Sequence, residues 1–253
     1  MEIFSKLRHF EFVDQIIPCL EQCAEKIMEI YGNFNNDIQI KDDNSPLTQA
    51  DIASHDIINE CLKSLGYPII SEESQNIYTK SSKYWLVDPL DGTKEFINKN
   101  GEFTINIALI ENRYPLEGYV YSPTTKTLYL GGLDKKSYKV QNSIIEQIQT
   151  VKTADPIRIV VSRSHLNEET QKYISQFTKH ELLQSGSSIK FCMVAEGKAD
   201  IYPRFAPTSE WDTGAAQAVV EGAGGLVLDK NGKRMIYQKD NILNPHFIVK
   251  GQS

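Results

Sequence analysis

Apolar residues in the first quarter of the chain recur at helical spacing. Over 12–31, Val13, Ile16, Ile17, Leu20, Ala24, Ile27 and Ile30 fall on one face and Gly32 supplies a stop, which predicts a helix. A second helix is predicted over 48–65, with Ile52, Ile57, Ile58, Cys61, Leu62 and Leu65 on its apolar face and Gly66 at its end. The pattern then changes. Segments 67–71, 84–90, 104–110, 118–121 and 127–130 are short, rich in β-branched and aromatic residues and separated by turn residues, as strands are. Three follow one another with no helix between, which suggests an antiparallel meander.

Further on, predicted strands at 157–161, 181–184, 199–202 and 226–228 alternate with predicted helices at 167–177, 188–196 and 211–221. Such alternation implies a layered α/β unit. The weakly patterned stretch 135–155 is the candidate junction. It divides the chain into an N-terminal α+β half (1–140) and a C-terminal α/β half (155–253), read as one compact unit with its site where they meet. There is no internal repeat, low-complexity tract or long linker.

Bulk properties narrow the function. A chain of 253 residues with 40% hydrophobic and 24% charged residues is ordinary for a globular protein. Its apolar runs fall short of the ~20 residues a membrane helix needs. Glu2, Lys6, Arg8 and Glu11 interrupt the start, so no signal peptide is expected and the cytoplasm is the expected location, with peripheral association at an inner membrane left open. Cys19 and Cys23 have no histidine near them and Cys61 and Cys192 are isolated, which suits buried, reduced thiols better than a zinc site. A net charge of −6, from 33 acidic and 27 basic residues, argues against nucleic-acid binding. An anionic small substrate remains compatible if a metal supplies local positive charge.

The chemistry concentrates where apolar strands end in acids. In Trp85-Leu86-Val87-Asp88-Pro89-Leu90-Asp91-Gly92-Thr93 a strand runs directly into two carboxylates three residues apart. Strand ends in open α/β sheets face the crevice where ligands bind. Taken alone, the segment reads equally well as a turn, because Asp, Pro and Gly are turn residues. Ile69-Ile70-Ser71-Glu72-Glu73 is a second apolar strand ending in acids. Asp51, in Thr48-Gln49-Ala50-Asp51, and Asp212, in Glu210-Trp211-Asp212-Thr213-Gly214, sit at predicted helix starts, where each reads equally as a cap or a ligand. As a set, these acids beside apolar runs are not a solvated charge run. Hard oxygen donors without His or Cys select magnesium-like ions.

The combination Glu72-Glu73, Asp88-Pro-Leu-Asp91-Gly-Thr93 and Trp211-Asp212 followed by small residues resembles the signatures of the inositol monophosphatase superfamily, in order over nearly the whole chain. Within it the chain is most similar to the bacterial 3′(2′),5′-bisphosphate nucleotidases. The residues that carry this are Ser45-Pro-Leu-Thr-Gln-Ala-Asp51, Ser162-Arg-Ser-His165, Gly186-Ser-Ser-Ile-Lys190 and Ala199-Asp-Ile-Tyr-Pro-Arg204-Phe. The resemblance implies a layered sugar-phosphatase-like α/β (α+β) fold, with alternating helix and sheet layers and a mixed, largely antiparallel N-terminal sheet. It also implies magnesium-dependent hydrolysis of the 3′-phosphate of adenosine 3′,5′-bisphosphate, sensitivity to lithium, and a role in clearing a by-product of sulfate activation or of carrier-protein modification by coenzyme A. The 2′,5′ isomer and the sulfated analogue would be further substrates.

The same resemblance implies residue roles. Glu72, Asp88, Asp91, Asp212 and the carbonyl of Leu90 would hold two or three magnesium ions, with Glu73 supporting them from behind. Thr93, with Asp51 and Glu72, would orient and deprotonate the attacking water. The amides of Gly92 and Thr93 would grip the departing phosphate. His165, Ser187, Lys190, Arg204 and Asp212 would contact the substrate, since an Arg suits a second phosphate better than a sugar hydroxyl. The glycines of Glu221-Gly-Ala-Gly-Gly225 follow a helix instead of opening one, so they read as a helix stop. The competing readings are an inositol or sugar monophosphatase on the same scaffold and a non-catalytic nucleotide-binding protein. A small nucleotide bisphosphate is the expected partner, no protein partner is evident, and monomer and homodimer both stay open.

Overall fold

The computed structural model describes residues 6–34, 37–41, 46–75, 78–163 and 167–251. Helix α1 (Val13–Asn33) buries Val13, Ile16, Ile17, Leu20, Cys23, Ala24 and Ile27 along one stripe. A short antiparallel pair, β1 (Ile38–Ile40) and β2 (Pro46–Thr48), leads into α2 (Gln49–Lys63), which packs beside α1. Thr48 and Asp51 form a capping box that fixes the start of α2. The predicted helices over 12–31 and 48–65 therefore form within two residues of their expected ends.

Strands β3 (Ile69–Ser71), β4 (Lys83–Asp91), β5 (Thr104–Glu111), β6 (Tyr114–Ser122), β7 (Thr127–Gly132), β8 (Lys136–Gln141) and β9 (Ile144–Ile148) make one sheet in sequence order. Only the β3–β4 pair is parallel. Between β4 and β5 lies the five-residue helix α3 (Thr93–Ile97). Within the candidate junction 135–155, β8 and β9 extend this sheet as far as Ile148.

The C-terminal sheet runs in the order β11-β10-β12-β14-β13. It comprises β10 (Ile157–Ser162), β11 (His180–Ser185), β12 (Ile201–Arg204), β13 (Leu226–Asp229) and β14 (Phe247–Lys250). Helices α4 (Glu168–Ile174), α5 (Ile189–Ala195) and α6 (Gly214–Gly222) connect its strands. Strand β14 has no counterpart in the sequence reading, although it pairs antiparallel with both β12 and β13.

Period-two alternation stacks these parts into layers. From β4, Trp85 and Val87 face α1 and α2, whereas Tyr84 and Leu86 face the core shared with α5, α6 and the second sheet. On the far side of that sheet Ile159, Val161 and Ile201 pack with Ile174 of α4. The order is therefore helix, sheet, helix, sheet, helix. The middle helix α6 is built from small residues and lies close against β6: a Cβ on Gly118 would meet the carbonyl oxygen of Ala215 at 2.1 Å. All four cysteines are free thiols. Among the described residues no helix is long and apolar enough to cross a membrane.

Candidate active site

The site forms where β3 and β4 end side by side. Their parallel register sets Ser71 opposite Val87, and the Glu72 amide donates to the Val87 carbonyl at 3.1 Å, so Glu72 and Asp88 leave the sheet together. Strict alternation would send Asp88 and Asp91 to opposite faces. An irregularity between them shifts the register against β5, pairing Asp88 with Asn106 but Asp91 with Thr104. The extra residue turns both carboxylates to one side. Asp212 arrives from the turn before α6, held by the Ser209 amide at 2.7 Å.

One carboxylate oxygen each from Glu72, Asp88 and Asp212 lies within 4.8 Å of the others. Asp91 is turned slightly away, its Oδ2 accepting from the Ser188 amide at 2.6 Å and from Asn106 Nδ2 at 3.3 Å. It remains close enough that its charge, after burial, is the main force raising the Asp212 carboxyl to about 8. Burial and then the Glu72 charge push Asp88 well above the usual carboxylate range. Burial also raises Asp91, and Glu72 too, although Lys41 opposes the shift at Glu72. A cluster that resists ionisation in this way needs an external cation before all its acids can carry charge.

Thr93 lies at the foot of this cluster. Its hydroxyl is 3.1 Å from Asp51 Oδ1 and 3.3 Å from the Leu90 carbonyl. Asp51 Oδ2 meanwhile accepts from the Thr48 amide at 2.8 Å and from the Thr48 hydroxyl at 2.6 Å. Asp51 thus caps α2 with one oxygen and meets Thr93 with the other. Gly92 makes the turn between strand and helix at φ +94°, a conformation that favours glycine.

A cleft of about 250 Å³ opens over these residues. Its other wall comes from the C-terminal half: Ser187, Lys190, Tyr202 and Arg204. Lys190 is buried, and its ammonium donates to the Ser187 carbonyl at 2.5 Å and lies 5.4 Å from the centre of the Tyr202 ring. Burial lowers its pKa to about 8 despite the opposing charge of Asp91. Arg204 Nη2 donates to the Pro207 carbonyl at 3.2 Å, while its buried Nε has no hydrogen-bond partner among the described residues. Ser187 sits just outside α5 in the left-handed region, at φ +43°. The helix carrying Asp212 begins only at Gly214, so Asp212 belongs to the preceding turn.

The structure therefore gathers Asp51, Glu72, Asp88, Leu90, Asp91, Gly92, Thr93, Ser187, Lys190, Arg204 and Asp212 in or directly behind one cleft. His165 lies outside the described residues. Sequence reasoning missed Lys41, whose ammonium bonds Glu72 at 2.7 Å and also pairs with Glu73. It missed Asn106 and Ser188 behind Asp91, joined at 2.8 Å. It also missed His55, whose Nδ1 meets the Ser71 hydroxyl at 2.9 Å while Asn59 Nδ2 meets its Nε2 at 2.7 Å. With Asn59 as donor, His55 carries its proton on Nδ1 and fixes the residue beside Glu72. No local pattern marks these residues for the site, since Lys41, Asn106, Ser188 and His55 reach the strand-end residues beside it only through tertiary packing.

The layered fold and the acidic cleft are those of a phosphatase family: residues 11–251 match the inositol monophosphatase family, and the chain belongs to it. The family is metal-dependent, and the acidic trio is a cluster that could bind a metal. Among its relatives is the Escherichia coli (strain K12) 3′(2′),5′-bisphosphate nucleotidase CysQ, 44% identical over 94% of this chain and 98% of the relative. The nucleotidase of the same name from Haemophilus influenzae is 30% identical, over 94% and 92% of the two chains. The crystal structure of CysQ from Bacteroides thetaiotaomicron superposes with a TM-score of 0.86 at 40% identity, covering 96% of this chain and 98% of that one.

Proposed function

We propose that this chain is a magnesium-dependent 3′(2′),5′-bisphosphate nucleotidase that removes the 3′-phosphate of adenosine 3′,5′-bisphosphate to give AMP and phosphate. The observation that carries this reading is the opposition, across one cleft, of a carboxylate trio, buried at Asp88 and half-buried at Glu72 and Asp212, and a basic wall. Glu72, Asp88 and Asp212 form the first; Lys190 and Arg204 form the second. The nucleotidase relatives support the choice of a doubly phosphorylated nucleotide over an inositol ester.

The donor set fits magnesium. It consists of hard oxygens without imidazole or thiolate, and its carboxyls are raised by burial and mutual repulsion, which a cation reverses. Glu72, Asp88, Asp91, Asp212 and the Leu90 carbonyl are the residues to hold about two or three ions. When bound, these neutralise the scissile phosphate and acidify the attacking water.

The chain's own groups do the rest. Thr93 accepts a proton from the attacking water as its hydroxyl proton passes to Asp51 Oδ1, 3.1 Å away. The water oxygen bonds to phosphorus, the bond from phosphorus to the 3′-oxygen breaks, and that oxygen takes up a proton from solvent. Gly92 and Thr93 offer backbone amides to the departing phosphate. Ser187, Lys190 and Arg204 hold the phosphate that stays, the guanidinium forking onto its oxygens. The test is phosphate release by the purified protein with magnesium and after chelation, for the wild type and Asp88→Asn. Metal-dependent release, reduced by about 10³-fold or more in the variant, is expected. Undiminished release after chelation would refute the metal mechanism.

A further inference from the structure

The turn that presents Ser187 and Lys190 is held on both sides of Ser187 by acids from the opposite half of the molecule. Before it, the Gly186 amide donates to Glu102 Oε2 at 2.8 Å. After it, the Ser188 amide donates to Asp91 Oδ2 at 2.6 Å. Between these anchors Ser187 adopts φ +43°, which a non-glycine residue keeps only when its surroundings over-determine it. Its carbonyl, so oriented, receives the Lys190 ammonium. Asp91 is already committed to the acidic cluster, but Glu102 lies outside the cleft lining and no role has been attached to it.

Glu102 has a second partner. Arg163, at the end of β10, forks onto it through Nη2 to Oε1 at 2.7 Å and Nε to Oε2 at 3.1 Å. The carboxylate therefore ties three separate segments together: the loop between α3 and β5, the end of β10, and the turn before α5. On an exposed surface such a pair contributes little. The Arg163 side chain is itself 44% exposed, so the part the pair plays is orientation: the fork engages both carboxylate oxygens and fixes the one that anchors Gly186.

We infer that Glu102, locked by Arg163, is a positioning residue for the phosphate that is not cleaved. It pre-sets the Ser187 turn and the Lys190 ammonium before substrate enters. The inference rests on the bisphosphate reading above and assigns its specificity to a clamp that never touches the substrate. Preorganisation of this kind lowers the cost of binding, so its loss shows in KM and not in the chemical step.

The experiment compares wild type, Glu102→Ala, Glu102→Gln and Arg163→Gln on adenosine 3′,5′-bisphosphate and on adenosine 3′-monophosphate, which carries the same scissile ester without the second phosphate. Glu102→Ala is expected to raise KM for the bisphosphate about tenfold, as for one lost hydrogen bond to a charged group, with kcat within about twofold. Selectivity over the monophosphate falls by the same factor. Glu102→Gln, which keeps an oxygen for Gly186, falls between. Calorimetric binding of AMP, which retains the 5′-phosphate, supplies a readout independent of turnover, and Glu102→Ala is expected to weaken it about tenfold. Unchanged KM and AMP binding in an active Glu102→Ala enzyme overturn the clamp while leaving the nucleotidase reading intact. Equal losses on both substrates, with a lowered melting temperature, also overturn it, by reducing Glu102 to a structural tie. A wild type that ignores the bisphosphate yet binds AMP in a Glu102-dependent way sinks the nucleotidase reading and upholds the clamp.

Discussion

Replacing Asp212 by Asn separates the electrostatic cost of the acidic cluster from its use. Asn keeps an oxygen for the Ser209 amide and nearly the same shape, so the change is chiefly one of charge. Two unit charges 4.8 Å apart repel by about 3.5 kcal/mol at an effective dielectric of about 20. Asp212 is only half-buried, and solvent screening roughly halves this figure, which leaves about 2 kcal/mol of repulsion to relieve in metal-free protein. For a chain of this length that corresponds to a rise of about 4–8 °C in melting temperature. Melting scans at pH 8 in chelator should show Asp212→Asn above the wild type by that amount. In excess magnesium the order should reverse, because the variant has lost a ligand and gains less from the ion. A variant that melts at or below the wild type in chelator, yet gains the full magnesium increment, would refute the idea that Asp212 belongs to a charge-frustrated metal site.

Three further outcomes follow from the same geometry. The raised Asp212 carboxyl makes the metal-free protein bind more protons when folded than when unfolded between its ordinary value of 3.8 and about 8. Its contribution is present in acid and lost on raising the pH, so melting temperature in chelator should fall across that window, and magnesium should flatten the slope. Thr93→Val, which removes the hydroxyl facing Asp51, should lower kcat about 10²–10⁴-fold with little change in KM or melting temperature; an unchanged kcat would exclude Thr93 from proton transfer. Lys190, with its pKa lowered to about 8, loses its charge above that pH, so KM for the bisphosphate should climb from pH 8 upward. Lys190→Met should abolish that climb and raise KM at neutral pH.

Much of this architecture is legible in the sequence because its signals are local. The stripe of α1, the Thr48–Asp51 cap and the apolar run of β4 into Asp88 each follow from spacing within a few residues. Elements that depend on distant partners were not legible. Strand β14 is four residues long and is defined by lying between β12 and β13. Strands β8 and β9 are half-exposed at one end of the sheet, so their alternation is blurred by polar residues on both faces. The site divides in the same way. Its acids stand beside apolar strands and motifs, whereas Lys41, His55 and Glu102 acquire meaning only from partners 31, 16 and 84 residues away.

The most direct test of the account is phosphate release from adenosine 3′,5′-bisphosphate and inositol 1-phosphate measured side by side, with magnesium, with chelator and with added lithium. A strong magnesium-dependent preference for the nucleotide, suppressed by lithium and abolished by chelation, is expected. Preference for the inositol ester under the same conditions would keep the acidic site but contradict the assignment of Lys190 and Arg204 to a second phosphate.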